Sequence, residues 1–245
     1  MNKSSPNAHC TDPFVINPEA HKALIFDMDG TIIDNMMVHH RAWQQLFLEL
    51  GYAWTLEEIK ERVWGKNEEI FERIFPGRFS PQEIAQLAER KERSYVEIYR
   101  PQIAMLAGLD RLLVDARAKG LRLGIATAAP PICVEFVREA LELDTYFDTI
   151  VDAHQVARGK PHPEGYLMAA SRLGVEPSEC LVFEDAPVGV AAAEAARMSA
   201  FVVLTTHAEV EFARFSNVLG FVRDFSGFCL ASLDRLGPDS PLKLV

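Results

Sequence analysis

Short apolar segments alternate with amphipathic helical patterns along most of this chain, and that alternation restricts its fold more than any other feature. The segments lack polar residues on either face, as strands buried inside a parallel sheet do. Strand before helix, repeated in this order, predicts an α/β fold with a doubly wound parallel sheet. The predicted strands are residues 23–26, 121–126, 149–151, 180–183 and 200–204, and the helices lie over residues 109–116, 134–141, 166–173 and 188–197.

One long segment interrupts this alternation after the first predicted strand. It has apolar residues at helical spacing throughout and no convincing strand pattern. Because it lies between the first and second strands, we expect an all-helical cap inserted into the core. The predicted division is a flexible tail over residues 1–20, an α/β core over residues 21–35 and 104–245, and a helical cap over residues 36–103.

The overall charge and the cysteines narrow the function classes. A formal net charge of -10 argues against a nucleic-acid-binding protein, which needs clustered lysine and arginine. No apolar stretch is long enough to span a membrane, and the first residues lack the apolar segment of a signal peptide. The 4 cysteines are far apart without metal-site spacing. We therefore expect a cytoplasmic monomer with reduced cysteines and no membrane or nucleic-acid partner.

Two carboxylates follow directly after the first predicted strand, in the sequence FDMDGT at residues 26–31. Residues i and i+2 of an extended chain point to the same side, so Asp27 and Asp29 both face the crevice beyond the strand's carboxyl end. Adjacent carboxylates repel each other unless a cation neutralises them, and oxygen-rich sites favour Mg²⁺. The alternative is a turn that merely ends the strand; two acids at the end of a buried strand argue against it.

Glu184 and Asp185 form a second acidic pair, directly after the predicted strand at residues 180–183. Taken alone, this pair fits a solvated turn. Because the carboxyl ends of parallel strands meet at one edge of a sheet, however, the pair comes close to Asp27 and Asp29. The four carboxylates together predict an acidic pocket for a metal ion.

Thr127 and Lys160 are the remaining polar candidates. Thr127 follows a predicted strand, where its hydroxyl and the neighbouring N–H groups would hold a phosphoryl oxygen, although taken singly it is an ordinary strand-end residue. Lys160 lies in a loop stiffened by two prolines, although a lysine in a loop is most often solvated. An ammonium there would offset the repulsion between a carboxylate and a phosphate, about 4 kcal/mol per charge pair at close range. Such electrostatic stabilisation is the main requirement of phosphoryl transfer.

These segments, in this order and with a helical insertion after the first, resemble the haloacid dehalogenase superfamily of phosphotransferases over about residues 23–204. Within it, the chain is most similar to the beta-phosphoglucomutase-like branch. The resemblance implies a Rossmann-like core with a helical cap that opens and closes. The matching positions are Asp34, His39, Arg41, Ala42, Trp43 and Gly65 in the hinge and cap, and residues 159–161, Pro163, residues 182–186 and Gly189 in the core.

The resemblance also implies a role for each candidate. Asp27 would form an aspartyl-phosphate, Asp29 would be the general acid and base, and Thr127 and Lys160 would bind the transferring phosphoryl group. The second aspartate points to an oxygen leaving group, because a halide needs no proton. The implied Mg²⁺ ligands are Asp27, the backbone carbonyl of Asp29, and Asp185, with Glu184 in support; the implied substrate-binding residues are His39, Gly65, Lys66, Thr127, Ala128 and Lys160.

Several positions depart from the branch's pattern. Beta-phosphoglucomutase has Ser-Lys after the hydroxyl residue and an arginine in the cap, which hold the substrate's second phosphate. Here Ala129 and Pro130 offer no side-chain donor, and Glu68 would repel an anion, with Lys66 as the nearby cation that would offset it. Arg197 stands where the family usually has glycine.

These departures rank three functional hypotheses. The first is a phosphatase that acts on a small phosphorylated metabolite, such as a sugar phosphate. The second is a hexose-phosphate mutase, which must hold a bisphosphate in two orientations and so needs the missing donors. The third is a non-catalytic binding protein on the same fold, against which the intact Asp27, Asp29, Lys160 and Asp185 argue.

Overall fold

A computed structural model describes residues 14–63, 67–230 and 243–244. A six-stranded parallel sheet in the order β4-β3-β2-β5-β6-β7 forms the centre of the core. This confirms the predicted α/β class with its doubly wound parallel sheet. The strands are β1 (Phe14–Ile16), β2 (Ala23–Phe26), β3 (Arg122–Ala126), β4 (Thr149–Val151), β5 (Cys180–Glu184), β6 (Ser199–Val203), β7 (Val218–Val222), β8 (Phe228–Leu230) and β9 (Lys243–Leu244).

Helices connect these strands at the positions that the sequence pattern predicts, within a few residues at each end. Prolines begin several of them, since the first turn has no partner for their missing N–H. Gly174, in the left-handed region with φ of 67°, follows one of them as its C-cap. The helices are α1 (Met36–Glu49), α2 (Leu56–Arg62), α3 (Asn67–Ile74), α4 (Pro81–Tyr99), α5 (Leu109–Ala118), α6 (Pro131–Ala140), α7 (Glu164–Leu173) and α8 (Pro187–Ala195).

Strand β2 occupies the middle of the sheet, where the chain changes direction. The chain first proceeds from β2 to β3 and β4 on one side, and then to β5, β6 and β7 on the other. In such sheets the ligand site forms at this switch point, beyond the carboxyl ends of the strands. Phe26, the last residue of β2, pairs with Ile125 and Phe183 and stacks on the Phe183 ring at 4.7 Å. The apolar core therefore extends to the edge of the site.

Helices α1 to α4 lie between β2 and α5, and we refer to them as the cap. They share an apolar cluster of their own, which includes Trp43, Phe47 and Phe71. The end of α4 instead joins the core, because Tyr95 and Tyr99 pack edge-on against Phe136 of α6. This contact connects the cap to the helix that follows β3.

The predicted flexible tail is wrong from residue 14 onwards. Strand β1 lies between β8 and β9 in a separate three-stranded parallel sheet, and Ile16 is fully buried. The predicted tail up to residue 13 lies outside the described residues. No local pattern predicts this strand, because its partners come from the other end of the chain.

Two further features bear on the expectations above. Cys133 and Cys180 are free and buried; the side chains of Cys10 and Cys229 lie outside the described part of the chain. Among the helices that the structure describes, none is both long and apolar enough to cross a bilayer.

Candidate active site

The register of the parallel sheet brings three predicted segments to the same edge. Phe26 lies opposite Phe183 on β5, and the N–H of Asp27 donates to the carbonyl of Phe183 at 2.9 Å. Asp27 consequently lies beside Glu184. On the other side of β2, strand β3 ends at Ala126, so Thr127 follows at the neighbouring strand end.

Lys160 lies between two of the predicted carboxylates. Its Nζ is 2.5 Å from Oδ1 of Asp27 and 2.6 Å from Oε1 of Glu184. Only 13% of the Lys160 side chain is exposed, and the exposed fractions of the Asp27 and Glu184 side chains are 9% and 2%. The interpretation of Lys160 as an ordinary solvated loop residue is therefore excluded. Ion pairs hold its ammonium at the end of the sheet, one to Asp27 directly after β2 and one to Glu184, the last residue of β5.

Glu184 uses both carboxylate oxygens for hydrogen bonds inside the protein. Oε1 accepts from Lys160 and from the hydroxyl of Tyr166 at 3.0 Å, and Oε2 accepts from the N–H groups of Asp185 and Ala186 at 2.9 and 2.8 Å. Its supporting role beside the implied metal ligands stays a prediction. Its contacts are those of a side chain that positions Lys160 and the turn after β5.

Asp185 lies on the opposite side of this turn, against the segment that follows Asp27. Its carboxylate contacts Cα of Gly30 so closely that a Cβ there would overlap Oδ2. Gly30 has φ of 79°, which a glycine adopts without strain. The turn after β2 can therefore pass directly in front of the Asp185 carboxylate.

The electrostatics at this edge are dominated by buried negative charge. The pKa of Asp27 is raised to about 7: burial is the largest cause, the nearby charges of Glu184 and Asp29 add to it, and Lys160 opposes it. Burial and the nearby charges of Glu184 and Asp27 also hold the pKa of Asp185 well above its ordinary value. Three carboxylates and one ammonium share the pocket, so its negative charge is only partly balanced.

Asp29 turns its side chain away from this group and towards the cap. Asn35 Nδ2 donates to Oδ1 of Asp29 at 2.6 Å, and Nε2 of His39 lies 3.8 Å from Oδ2. Burial by itself would raise the pKa of Asp29, but the hydrogen bonds and charges of His39, Asn35 and Lys91 outweigh it and the pKa lies below its ordinary value. In this structure Asp29 is therefore an ionised carboxylate held by the cap.

A buried polar chain continues from His39 into the cap and across to the core. Lys91 Nζ lies 3.0 Å from Nδ1 of His39 and forms an ion pair with Glu92 at 2.9 Å. Glu92 Oε2 in turn accepts from Cys133 at the start of α6, with Sγ at 3.2 Å. His39, which the family resemblance places among the substrate-binding residues, thus lies between Asp29 and Lys91.

The remaining predicted residues are less closely engaged. Thr127 is buried and its Oγ1 accepts from the N–H of Ala129 at 3.0 Å, while Ala128 is exposed in the same loop. Gly65 and Lys66 lie outside the described residues. In the part of the chain that the structure describes, no three Asp, Glu, His or Cys side chains form a metal-binding group. The acidic pocket contains carboxylates for a metal, but not the four-side-chain cluster that the sequence pattern suggested.

Sequence reasoning missed several polar residues of the site. From the sequence, Tyr166 is interpreted only as an apolar residue of a helix. Its hydroxyl nevertheless donates to Glu184, and its ring centroid lies 5.0 Å from Nζ of Lys160. Lys91 and Tyr95 follow Ile84 and Leu87 on the same stripe of α4. A lysine on an otherwise apolar stripe was the available signal for a buried charge.

Comparison with known proteins gives a consistent set of matches. The family model described as haloacid dehalogenase-like hydrolase matches residues 21–197. Protein CbbY of Rhodobacter capsulatus is 37% identical over 198 residues, which cover 75% of this chain and 85% of CbbY. A fructose-1-phosphate phosphatase of Escherichia coli, YqaB, is 30% identical, with 74% of this chain and 96% of that protein covered.

A mutase and a solved structure are similar to the chain as well. The beta-phosphoglucomutase of Bacillus subtilis is 34% identical over 73% of this chain and 81% of the mutase. The crystal structure of CbbY from Rhodobacter sphaeroides in complex with phosphate superposes with a TM-score of 0.73 at 28% identity, covering 84% of this chain and 95% of that one.

Proposed function

Because this chain belongs to the haloacid dehalogenase-like hydrolase family, we propose that it is a Mg²⁺-dependent phosphatase that hydrolyses a small phosphate monoester through an aspartyl-phosphate on Asp27. The chain is an enzyme of phosphohydrolase type, like the phosphatases and the phosphomutase that it resembles. The contacts and charges of the site support the metal, the intermediate and the class of substrate.

The observation that most supports the proposal is the contact of Lys160 with Asp27 at 2.5 Å. A carboxylate that attacks a phosphate dianion must overcome strong repulsion, which a fixed ammonium at this distance reduces. Glu184 and Tyr166 hold the ammonium in place, so little reorganisation is needed when the phosphate binds. This is the arrangement that phosphoryl transfer needs, because its catalysis depends mainly on positioning and charge.

In the first step, an oxygen of Asp27 forms a bond to phosphorus while the ester P–O bond breaks. The departing alkoxide takes a proton from Asp29, whose side chain faces the cap side of the site. In the second step, a water molecule gives a proton to the Asp29 carboxylate and attacks the aspartyl-phosphate. Inorganic phosphate leaves, and the Asp27 carboxylate is regenerated.

Asp29 must carry a proton for the first step, although its pKa lies below the ordinary value in this structure. Binding of a phosphate dianion brings negative charge close to Asp29, and like charge raises a carboxyl pKa. Substrate binding therefore favours the protonated form when the acid is needed. Release of the alcohol then leaves Asp29 ionised for its role as a base.

The charge and the donor types of the pocket fit Mg²⁺. Asp27 and Asp185 are buried carboxylates with raised pKa values, and one ammonium leaves their charge partly unbalanced. By the family resemblance, these two side chains and the backbone carbonyl of Asp29 would hold the ion. When bound, it would supply positive charge at the transferring phosphoryl group.

A hexose-phosphate mutase is the second candidate, because a beta-phosphoglucomutase is among the relatives. Ala129 and Pro130 lack the donors that a second phosphate requires, so we favour the phosphatase and expect a sugar phosphate or similar metabolite as substrate. Incubation with beta-glucose 1-phosphate separates the two: we expect inorganic phosphate, and rapid formation of glucose 6-phosphate would favour the mutase.

Turnover of a panel of phosphorylated metabolites, with and without Mg²⁺, tests the phosphatase proposal. Asp27→Asn should abolish phosphate release from every ester while leaving the fold intact. Asp29→Ala should slow hydrolysis of alkyl phosphates far more than that of p-nitrophenyl phosphate, whose leaving group needs no proton. Equal losses for both classes of ester would remove the acid–base role of Asp29.

A further inference from the structure

Tyr95 of α4 is fully buried, yet it contacts both side chains through which the cap reaches Asp29. Asn35 Nδ2 donates to the Tyr95 hydroxyl at 2.7 Å. The rings of Tyr95 and His39 are nearly parallel, at an interplanar angle of 3° and with centroids 4.0 Å apart. Asn35 and His39 are also the partners of the two Asp29 carboxylate oxygens.

The orientation of the Asn35 amide depends on the Tyr95 hydroxyl. An amide carries two N–H bonds, and here one points to Oδ1 of Asp29 and the other to Tyr95. Asn35 is fully buried and, among the described residues, its Oδ1 has no hydrogen-bond partner. The amide oxygen therefore does not help to fix the orientation, which depends on the two N–H bonds alone. Without the hydroxyl, the second N–H loses its acceptor, because Lys91 donates to Nδ1 of His39 and Nε2 of that ring, 3.4 Å from Nδ2, therefore carries the proton and cannot accept.

Tyr95 is itself fixed from the core side. Its ring packs edge-on against Phe136 of α6, with centroids 6.2 Å apart and an interplanar angle of 86°. The hydroxyl therefore has one position relative to the sheet as long as the end of α4 stays in contact with α6. The fixed hydroxyl orients the Asn35 amide through their hydrogen bond, and the amide in turn orients the Asp29 carboxylate.

From these contacts we infer that Tyr95 is a positioning residue that orients the Asp29 carboxyl towards the leaving group, acting through Asn35 and His39 rather than on the substrate. The inference rests on the proposed acid–base role of Asp29. The rate at which the leaving group departs then depends on a buried cap residue that acts through Asn35 and His39.

Tyr95→Phe tests the inference, because it removes one oxygen atom and keeps both ring contacts. For the sugar phosphate that the wild type hydrolyses fastest, we expect kcat to fall about five- to tenfold, the effect of one lost hydrogen bond. For p-nitrophenyl phosphate, kcat should stay within about twofold, and KM should change little for either ester. Tyr99→Phe is the matched control: it is buried on the same helix and contacts the same Phe136, but its hydroxyl lies by the backbone of Ala104 rather than by Asn35.

Several outcomes would overturn the inference: an equal loss of kcat with both esters, no loss with either, faster hydrolysis of the sugar phosphate by Tyr95→Phe, or the same selective loss of kcat in Tyr99→Phe. Should Tyr95→Phe fail to fold, Asn35→Ala interrupts the same connection and must show the same selectivity. If the wild type hydrolyses neither ester, the proposed function fails as a whole. That result differs from an active wild type with an unselective variant, which refutes the role of Tyr95 alone.

Discussion

Gly189 of α8 lies with its Cα directly against the carboxylate of Glu184 at the end of β5. A Cβ at position 189 would overlap Oε1 and Cδ of that carboxylate. Glu184 holds Lys160, Tyr166 and the turn after β5 in place. The lack of a side chain at position 189 therefore determines where the ammonium beside Asp27 can lie.

Gly189→Ala should lower activity even though alanine favours helices by about 1 kcal/mol over glycine. The added methyl group displaces the Glu184 carboxylate and, with it, Lys160, so we expect kcat to fall at least about tenfold, the equivalent of ~1.4 kcal/mol. Steady-state hydrolysis of a sugar phosphate measures the effect. Gly165→Ala in α7 is the control, because its nearest neighbours would lie 4.0 Å from the new Cβ; full activity in Gly189→Ala would contradict the prediction.

Lys160→Met should destabilise the protein strongly. It leaves the buried carboxylates of Asp27 and Glu184 without their cation, and breaking a buried ion pair from one side costs about 3–5 kcal/mol. Urea unfolding without metal measures the change in the free energy of unfolding. The double variant Lys160→Met, Glu184→Gln should recover part of the loss by removing one uncompensated charge. A single variant as stable as the wild type would show that the ion pairs do not form.

The stability of the metal-free protein should fall as pH rises from about 4 to about 7. The pKa of Asp27 rises from 3.8 to about 7 on folding, and that of Asp185 also rises, so the folded state binds more protons in this window. Mg²⁺ competes with those protons and binds only the folded state, so its stabilising effect should grow with pH. Melting temperatures at pH 5.5 and 8, with and without Mg²⁺, check this. Asp185→Asn should lose most of the Mg²⁺ effect, and a shift independent of pH would refute the assignment.

Arg197→Gly should stabilise the protein by about 1 kcal/mol, the cost of a non-glycine residue in the left-handed region. Arg197 is exposed and has φ of 61° at the end of α8. Its N–H donates to Glu194 and that of Met198 to Ala193, both at 2.9 Å, which is the Schellman arrangement that glycine prefers. This conformation explains the glycine that the family resemblance leads us to expect at this position. Thermal unfolding measures the gain; Arg197→Ala should change the stability little, and a less stable glycine variant would contradict the argument.

The strands and helices of the core were predictable because their signals are local. The apolar run at residues 23–26 and those of β3 to β6 correspond to buried strands, since a strand buried on both faces has few polar residues wherever it lies. Strand β7 was missed although residues 218–222 are similarly apolar. Strand β1 could not be predicted, because three residues are ordered only by pairing with strands from the far end of the chain.

In the candidate site, too, some features follow from the local sequence and others depend on contacts between distant segments. The sequence alone determined that Asp27, Lys160 and the Glu184–Asp185 pair follow strand ends or lie in a loop, because short-range chain geometry places them there. Only the tertiary structure decided which partner each charge has: Glu184 bonds Lys160, and Asp29 turns to Asn35. Hydrogen bonds and ion pairs between distant segments depend on how the cap and the sheet pack, and no local pattern contains that information.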